Sequence, residues 1–308
     1  MSDEIPSAVS EPKRGAGLAD FFIRLVKEKP LGAACGIIIL LLILVAIFAD
    51  VLTPYPYDEV HLYDIMKGPS TQYLLGTDHM GRDFLSRLIS AARISLLVGL
   101  ATTALNAVVS TLLGGTSGFL GGKFDLVVQR FVDAWMCFPG LLLLLTLMSI
   151  VGRGVLQIIL VLGIAGGIGG SRVVRGAVIG IRENVYFQTA EAIGASRWRT
   201  LIRHVVPNIA PVVIIIFSIN VGGTILSIAS LSFLGYGLPF TIPEWGGLLS
   251  REGRESMETA PRLALWPGLC LTLTVYSLNM FGDAVRDLLD PRLRGGGGRL
   301  GSDAARSV

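Results

Sequence analysis

Nineteen consecutive residues, Leu31–Ala49, carry no charged side chain and contain the run Ile37–Leu44 of unbroken isoleucine and leucine. A bilayer core of about 30 Å is crossed by about 20 mostly apolar residues in a helix. Further uncharged stretches follow. A second span lies inside the 29-residue stretch Ile94–Gly122, a third at Ala134–Gly152, and a fourth, rich in glycine, at Gly154–Ser171. The fifth begins near Val205 and fades by Phe233, and the sixth covers Leu263–Gly282. Composition agrees, because 52% of the 308 residues are hydrophobic and only 16% are charged, against about 25% charged in soluble domains. That apolar content excludes a disordered chain. The net charge of +3 gives no sign of a nucleic-acid partner.

The expected fold is therefore an all-α integral membrane protein with six transmembrane helices. Its expected parts are an N-terminal tail (1–30), a first span (31–51) and an outer segment (52–93). A five-helix core (94–285) and a C-terminal tail (286–308) follow. With both termini on the same side, the 26 lysines and arginines divide 18 to 8 in favour of the side holding the termini and the 172–204 loop. The positive-inside bias then places both termini in the cytoplasm. The first twenty residues are polar and include acids, so no cleavable leader is expected. Membrane lipids are the surrounding partner.

Chemistry-bearing motifs are scarce. Cys35, Cys137 and Cys270 are far apart and fall in or beside spans, as expected of small apolar packing groups. The three histidines are equally scattered, and no metal site is expected. The glycines of 163–170 lack the lysine of a phosphate-binding loop. Gly163/Gly167 and Gly166/Gly170 stand four apart, the spacing that lets helix backbones approach in lipid. No nucleophile–base–acid set is visible, so the chain alone is not expected to be an enzyme or to bind a cofactor. Span interiors hold no acids of the kind that drive ion-coupled carriers.

Between the fourth and fifth spans, residues 183–208 read ENVYFQTAEAIGASRWRTLIRHVVPN. From Tyr186 to Arg203 the apolar residues recur at helical spacing, with Pro207 and Pro211 closing the segment. Such a helix either lies on the headgroups or docks in a partner's groove. Its pattern resembles the EAA loop of ABC-transporter permeases, with Gln188 at the glutamate position, Thr189 and Ala190 at the alanines, and Gly194 at the glycine. Three further blocks resemble the dipeptide/oligopeptide/nickel branch of that family, in order: LGTDHMGRDFLSR at 75–87, SLSFLGYG at 230–237 with PEWG at 243–246, and NMFGDAVRDLLDP at 279–291. The match is to the C-type subunit (DppC/OppC-like) and implies a MetI-like permease fold in the bacterial inner membrane.

The resemblance implies a path shared with a second, DppB/OppB-like permease. Two ATPase subunits or domains, holding ATP and Mg, would power it, and an extracytoplasmic binding protein would deliver cargo. It makes residues 186–203 a coupling helix, with Gln188, Thr189, Ala190, Ile193, Gly194, Trp198, Arg199 and Pro207 at the ATPase contact. Gly76, Asp78, Gly81, Arg82, Asp83 and Arg87 form an outer-segment motif, read as a charged, glycine-broken helix start outside the membrane, where ion pairs are individually worth little. Its expected role is to shape the outer vestibule or pair with the partner permease, ahead of touching substrate. Pro243, Glu244, Trp245 and Gly246 form an outer-loop motif, part of a gate, a docking surface or a cap. Polar residues in otherwise apolar spans nominate Asn106, Ser218, Asn220 and Ser227 for the substrate path. Peptides are the expected cargo. Nickel chelates, glutathione or oligosaccharides are family alternatives, and an ion-coupled carrier acting alone is a more distant one.

Overall fold

The computed structural model describes residues 18–182 and 197–289. Those residues are helical apart from turns, loops and one isolated bridge between Thr77 and Asp83. The helices are α1 (Leu18–Glu28), α2 (Pro30–Ile47), α3 (Ala49–Leu52), α4 (Phe84–Leu120), α5 (Gly122–Met136), α6 (Gly140–Val151) and α7 (Val155–Arg182). After the undescribed stretch come α8 (Arg197–Thr200), a π-helical turn Leu201–Val205, α9 (Val206–Phe233), α10 (Trp245–Leu248), a second π-helical turn Leu249–Gly253, and α11 (Arg262–Leu289).

Five helices are long and apolar enough to cross a membrane, and a sixth crossing is formed if α5 and α6 count as one bent span. That span is the main departure from expectation. Ala134–Gly152 does not form one straight helix: the chain breaks at Cys137–Pro139 and turns by 91°. Pro139 caps α6, and a proline cannot continue the preceding hydrogen-bond ladder. The second span starts at Phe84, ten residues before the expected stretch, and its 37 residues run about 55 Å. The fourth runs past Ser171 to Arg182, so Arg172 and Arg175 stand on its C-terminal extension as helix residues and not in an irregular loop. Both find acids on α5. Arg175 grips Asp125 with two bonds of 2.6 and 2.5 Å, and Arg172 pairs with Asp133.

Packing between α4 and α7 dominates, and the glycines explain it. A Cβ on Gly163 would overlap Leu105, on Gly166 Asn106, on Gly167 Val109, and on Gly170 Ser110. Ser110 Oγ then reaches across to donate to the Gly167 carbonyl at 3.0 Å. Close backbone approach supplies the dispersion contacts that lipid, itself apolar, cannot outcompete. At the opposite flank α2 lies on α11, with Gly32 against Ala284 and Gly36 against Phe281. Arg93 of α4 closes the end of α2: its guanidinium donates to the Ala46 and Ile47 carbonyls at 2.7 and 3.1 Å and pairs with Asp50. Those carbonyls have no intrahelical partner, so the arginine meets a need common to helix ends.

Candidate functional site: a neutral cavity between two charged ends

Helices α4, α5, α6, α7 and α9 border an open cavity of about 520 Å³. Asn106 comes from α4, Gly166 and Gly169 from α7, and Asn220, Gly223, Thr224 and Ser227 from α9. Trp135 and Phe138 line it from the bend, so the broken span is what presents aromatic rings to this space. Local sequence sets the shape. A side chain on Gly169 or Gly223 would meet nothing within 4 Å, so these glycines widen the space, whereas Gly166 is needed to seat Asn106. Ser227 Oγ donates to the Gly223 carbonyl at 2.9 Å, which leaves its lone pairs for the cavity. Among the described residues the lining carries no charged side chain. It offers amides, hydroxyls and ring faces, a surface that hydrogen-bonds without holding an ion tightly.

Three of the four polar residues nominated from the sequence, Asn106, Asn220 and Ser227, line this cavity. Ser218 does not: its hydroxyl returns to the Ile214 carbonyl at 2.9 Å and its own carbonyl abuts Gly282 of α11. Two residues along a helix turn the side chain by about 200°, so Ser218 and Asn220 point to opposite sides. Sequence reasoning does not find Thr224, Trp135 and Phe138. Thr224 lies one helical turn from Asn220, a face relation visible in the sequence, while the two aromatics depend on the 91° bend.

At the end of the bundle near residues 53–83 and 234–261, the outer-segment motif folds as its residue types demand. Gly76 and Gly81 take positive φ of 80° and 76°. Asp78 Oδ1 accepts from the Met80 and Arg82 amides at 2.8 and 3.0 Å, closing a turn. Asp83 caps α4 by accepting from the Ser86 amide at 2.8 Å.

The expectation of individually weak ion pairs outside the membrane is corrected here, because the pairs are buried. Asp78, Arg82 and Arg87 are buried, and Glu252 from the second π-helical turn joins them. Arg82 Nε lies 2.7 Å from Asp78, and Arg87 reaches Glu252 at 2.8 Å and Asp78 at 3.3 Å. The burial of Glu252 follows from the fold of the loop against α4 and α11, and it links two motifs 165 residues apart in sequence. Burial pushes its carboxyl above the usual range, and Arg87 pulls it back. Asp78, His79 and Glu252 place ligand atoms within 4.8 Å of one another. A cation there would face two guanidiniums already bound to the same carboxylates, so the group does not fit a metal.

The outer-loop motif is equally buried. Trp245 is 1% exposed, its Nε1 donates to the Leu88 carbonyl at 3.3 Å, and its amide donates to Ser95 Oγ at 3.2 Å. Gly246 abuts Ala229 so closely that a Cβ would overlap it. Pro243 is buried beside them. Glu244 accepts from the Gly246 and Gly247 amides at 3.1 and 2.6 Å, capping α10. Its carboxyl is raised to about 7 because burial disfavours the charged form more than those bonds favour it.

At the opposite end, most of the expected coupling segment lies outside the described residues: Gln188, Thr189, Ala190, Ile193 and Gly194. Trp198 falls on α8, Arg199 is exposed, and Pro207 sits in the first turn of α9. Directly after them, Leu201, Val205 and Ile209 are buried in one apolar cluster with Phe119 of α4 and Val174 and Val178 of α7.

Comparison with known proteins agrees with this architecture. Residues 110–295 match the binding-protein-dependent transport system inner membrane component, and residues 18–69 match the N-terminal TM domain of oligopeptide transport permease C. The glutathione transport system permease protein GsiD of Pectobacterium atrosepticum is 36% identical over 276 residues, 89% of this chain and 91% of the relative. GsiD of Escherichia coli O6:K15:H31 is 36% identical over 275 residues, 89% and 90% of the two chains. Among solved structures, a chain of the MetNI methionine ABC transporter in inward-facing conformations matches 63% of this chain and 94% of its own length. Its TM-score is 0.50 and its sequence identity 16%, a likeness of fold. With a family match over most of its spans and relatives matched along nearly their full length, this chain belongs to the binding-protein-dependent inner membrane components and is a permease subunit of an ABC importer, not its ATPase.

Proposed function

We propose that this chain forms one half of the path for short peptides, glutathione among them, delivered by an extracytoplasmic binding protein and completed by a DppB/OppB-like permease. The observation that supports it is the neutral, amide- and hydroxyl-lined cavity among α4, α7 and α9. A peptide presents backbone donors and acceptors in every register. Such a wall satisfies them without trapping any one side chain, which suits passage more than storage. The GsiD relatives, named for glutathione transport, favour small peptidic cargo over nickel chelates or oligosaccharides.

Both termini and residues 183–205 face the cytoplasm in this reading, on the strength of the 18 to 8 division of basic residues. Residues 186–203 then dock on one of two ATPase subunits that carry ATP and Mg. Gly194 allows close approach, and Gln188, Thr189, Ala190, Ile193, Trp198 and Arg199 form the contact. Leu201, Val205 and Ile209 lie in one cluster with α4 and α7. A push on the docked segment therefore reaches three cavity-lining helices as a rigid-body movement. The outer motifs Gly76–Arg87 and Pro243–Gly246 brace the far end of the path.

The test is purification of the tagged chain in mild detergent, identification of what accompanies it, and assay of ATP hydrolysis. Recovery of a second permease and an ATPase, stimulated by the binding protein with glutathione or trialanine, supports the reading. A chain that purifies alone and takes up solute in an ion-dependent manner in liposomes overturns it.

A further inference from the structure

The cavity is uncharged, but the end of the bundle above it is not. Arg153, in the turn between α6 and α7, and Arg251, in the second π-helical turn, both lie over the ring of Phe240, with guanidinium carbons 4.7 and 3.0 Å from its centroid. The two cations are therefore no farther from each other than those distances together. A third, Arg254, lies 5.9 Å from the Phe233 ring at the end of α9.

An aromatic face attracts one guanidinium, yet two like charges on one ring repel each other. Counter-ions would normally settle that repulsion. Among the described residues, no carboxylate forms an ion pair with any of the three. Glu244 and Glu252 share a void of about 20 Å³ with Arg251, but Glu244 is turned to the α10 amides and Glu252 to Arg82 and Arg87. Glu255 and Glu258 are exposed on the same loop and form no ion pair with the three arginines. The arrangement is thus a fork of arginine side chains without its acid.

Its place in the fold says what could fill it. Leu238 and Ile242, two residues either side of Phe240, pack on the apolar cluster that holds Leu144 and Leu162. Leu144 and Leu162 also line the cavity. One apolar cluster therefore borders both the arginine fork and the neutral chamber, with Arg153 in the turn between α6 and α7 and Phe240 in the loop after α9. Arginine's planar donors match a carboxylate in a two-bond geometry.

We infer that Arg153 and Arg251, with Arg254 beside them, form a carboxylate-recognition site at the outer mouth that receives the free carboxylate of the cargo before it enters the uncharged cavity. This rests on the import reading and on the orientation given above, and it sharpens the cargo class to small acids. A cargo lacking the carboxylate would be admitted less readily at the mouth, not in the chamber.

The experiment reconstitutes the whole transporter in proteoliposomes, with its binding protein. Uptake of trialanine and of glutathione is compared with uptake of their carboxamides, in the native complex and in an Arg153→Gln/Arg251→Gln variant. The binding protein's own preference cancels when variant is divided by native for each cargo. The site predicts that acid uptake falls about tenfold, the scale of losing charge-assisted hydrogen bonds, while amide uptake and basal ATP hydrolysis hold. Arg153→Lys/Arg251→Lys should recover part of the acid uptake. Equal loss for acids and amides overturns the inference. So does weaker association of the cargo-free binding protein with the variant, which would make the fork a protein-docking surface. Unchanged uptake of every probe also overturns it. A native complex that moves none of them removes the import reading, and the site with it.

Discussion

Arg87 donates through Nη2 to Glu252 Oε1 at 2.8 Å, and both side chains are 2% exposed. This bond ties the start of α4 to a loop that follows α9, and Asp78 and Arg82 complete a buried group of two acids and two arginines. Buried pairs are a poor source of net stability but costly to break singly, because the surviving charge is left in a low-dielectric site. Glu252→Ala is therefore expected to destabilise the complex by about 3–5 kcal/mol. The double change Arg87→Met/Glu252→Leu should cost clearly less than the single one. Thermal unfolding of the purified complex in detergent measures both. Equal losses in the single and double variants would show that packing, not the unpaired charge, sets the cost.

Glu244 supplies a pH dependence. Its carboxyl titrates near 7 in the folded protein, against an ordinary value of 4.5, with burial as the main cause. Between those values the folded state holds a proton that the unfolded state has released. Stability from this group is therefore full below pH 4.5 and is lost as pH rises to about 7. Glu244→Gln, which keeps an acceptor for the α10 amides, should flatten that decline. Unfolding temperatures across the window in native and variant complexes check it, and identical slopes would count against the assignment.

Gly167 sits where Val109 leaves no room for a Cβ. Gly167→Leu should separate α4 from α7 and cost about 1–3 kcal/mol, the usual penalty of overpacking. Gly169→Ala, which meets open space, should leave assembly intact. Yield of assembled complex on size exclusion distinguishes the two, and a stable Gly167→Leu complex would contradict the packing account.

In the coupling segment, Gly194→Asp is expected to abolish transport while membrane insertion persists. Gln188→Glu, which restores the family's usual acid, should be tolerated. Uptake and membrane fractionation read both. Normal transport by the Gly194→Asp variant would remove this segment from the ATPase contact.

Much of the fold is legible in the sequence, because lipid imposes one requirement on every span: length without charge. Leu31–Ala49 and Leu263–Gly282 lie close to α2 and within α11 for that reason. The α5–α6 break is not legible in the same way, although Pro139 and Gly140 stand at it, because an uncharged stretch looks the same whether straight or bent. Nor is the burial of Asp78, Arg82 and Arg87. It depends on Glu252 arriving from a distant loop, and no local pattern announces such a partner. Asn106, Asn220 and Ser227 can be nominated because a polar side chain in an apolar span needs a wet or hydrogen-bonding neighbour. Ser218 meets the same criterion yet satisfies itself on its own helix.

The most direct measurement concerns the cavity. Ser227→Cys, placed in a chain with Cys35, Cys137 and Cys270 replaced by alanine, is treated with a bulky, charged thiosulfonate reagent in the assembled, reconstituted transporter. If this cavity is the path, modification stops uptake of trialanine and glutathione, saturating cargo slows the modification, and the cysteine-free chain is unaffected. Full modification of Ser227→Cys with uptake unchanged would place the path elsewhere.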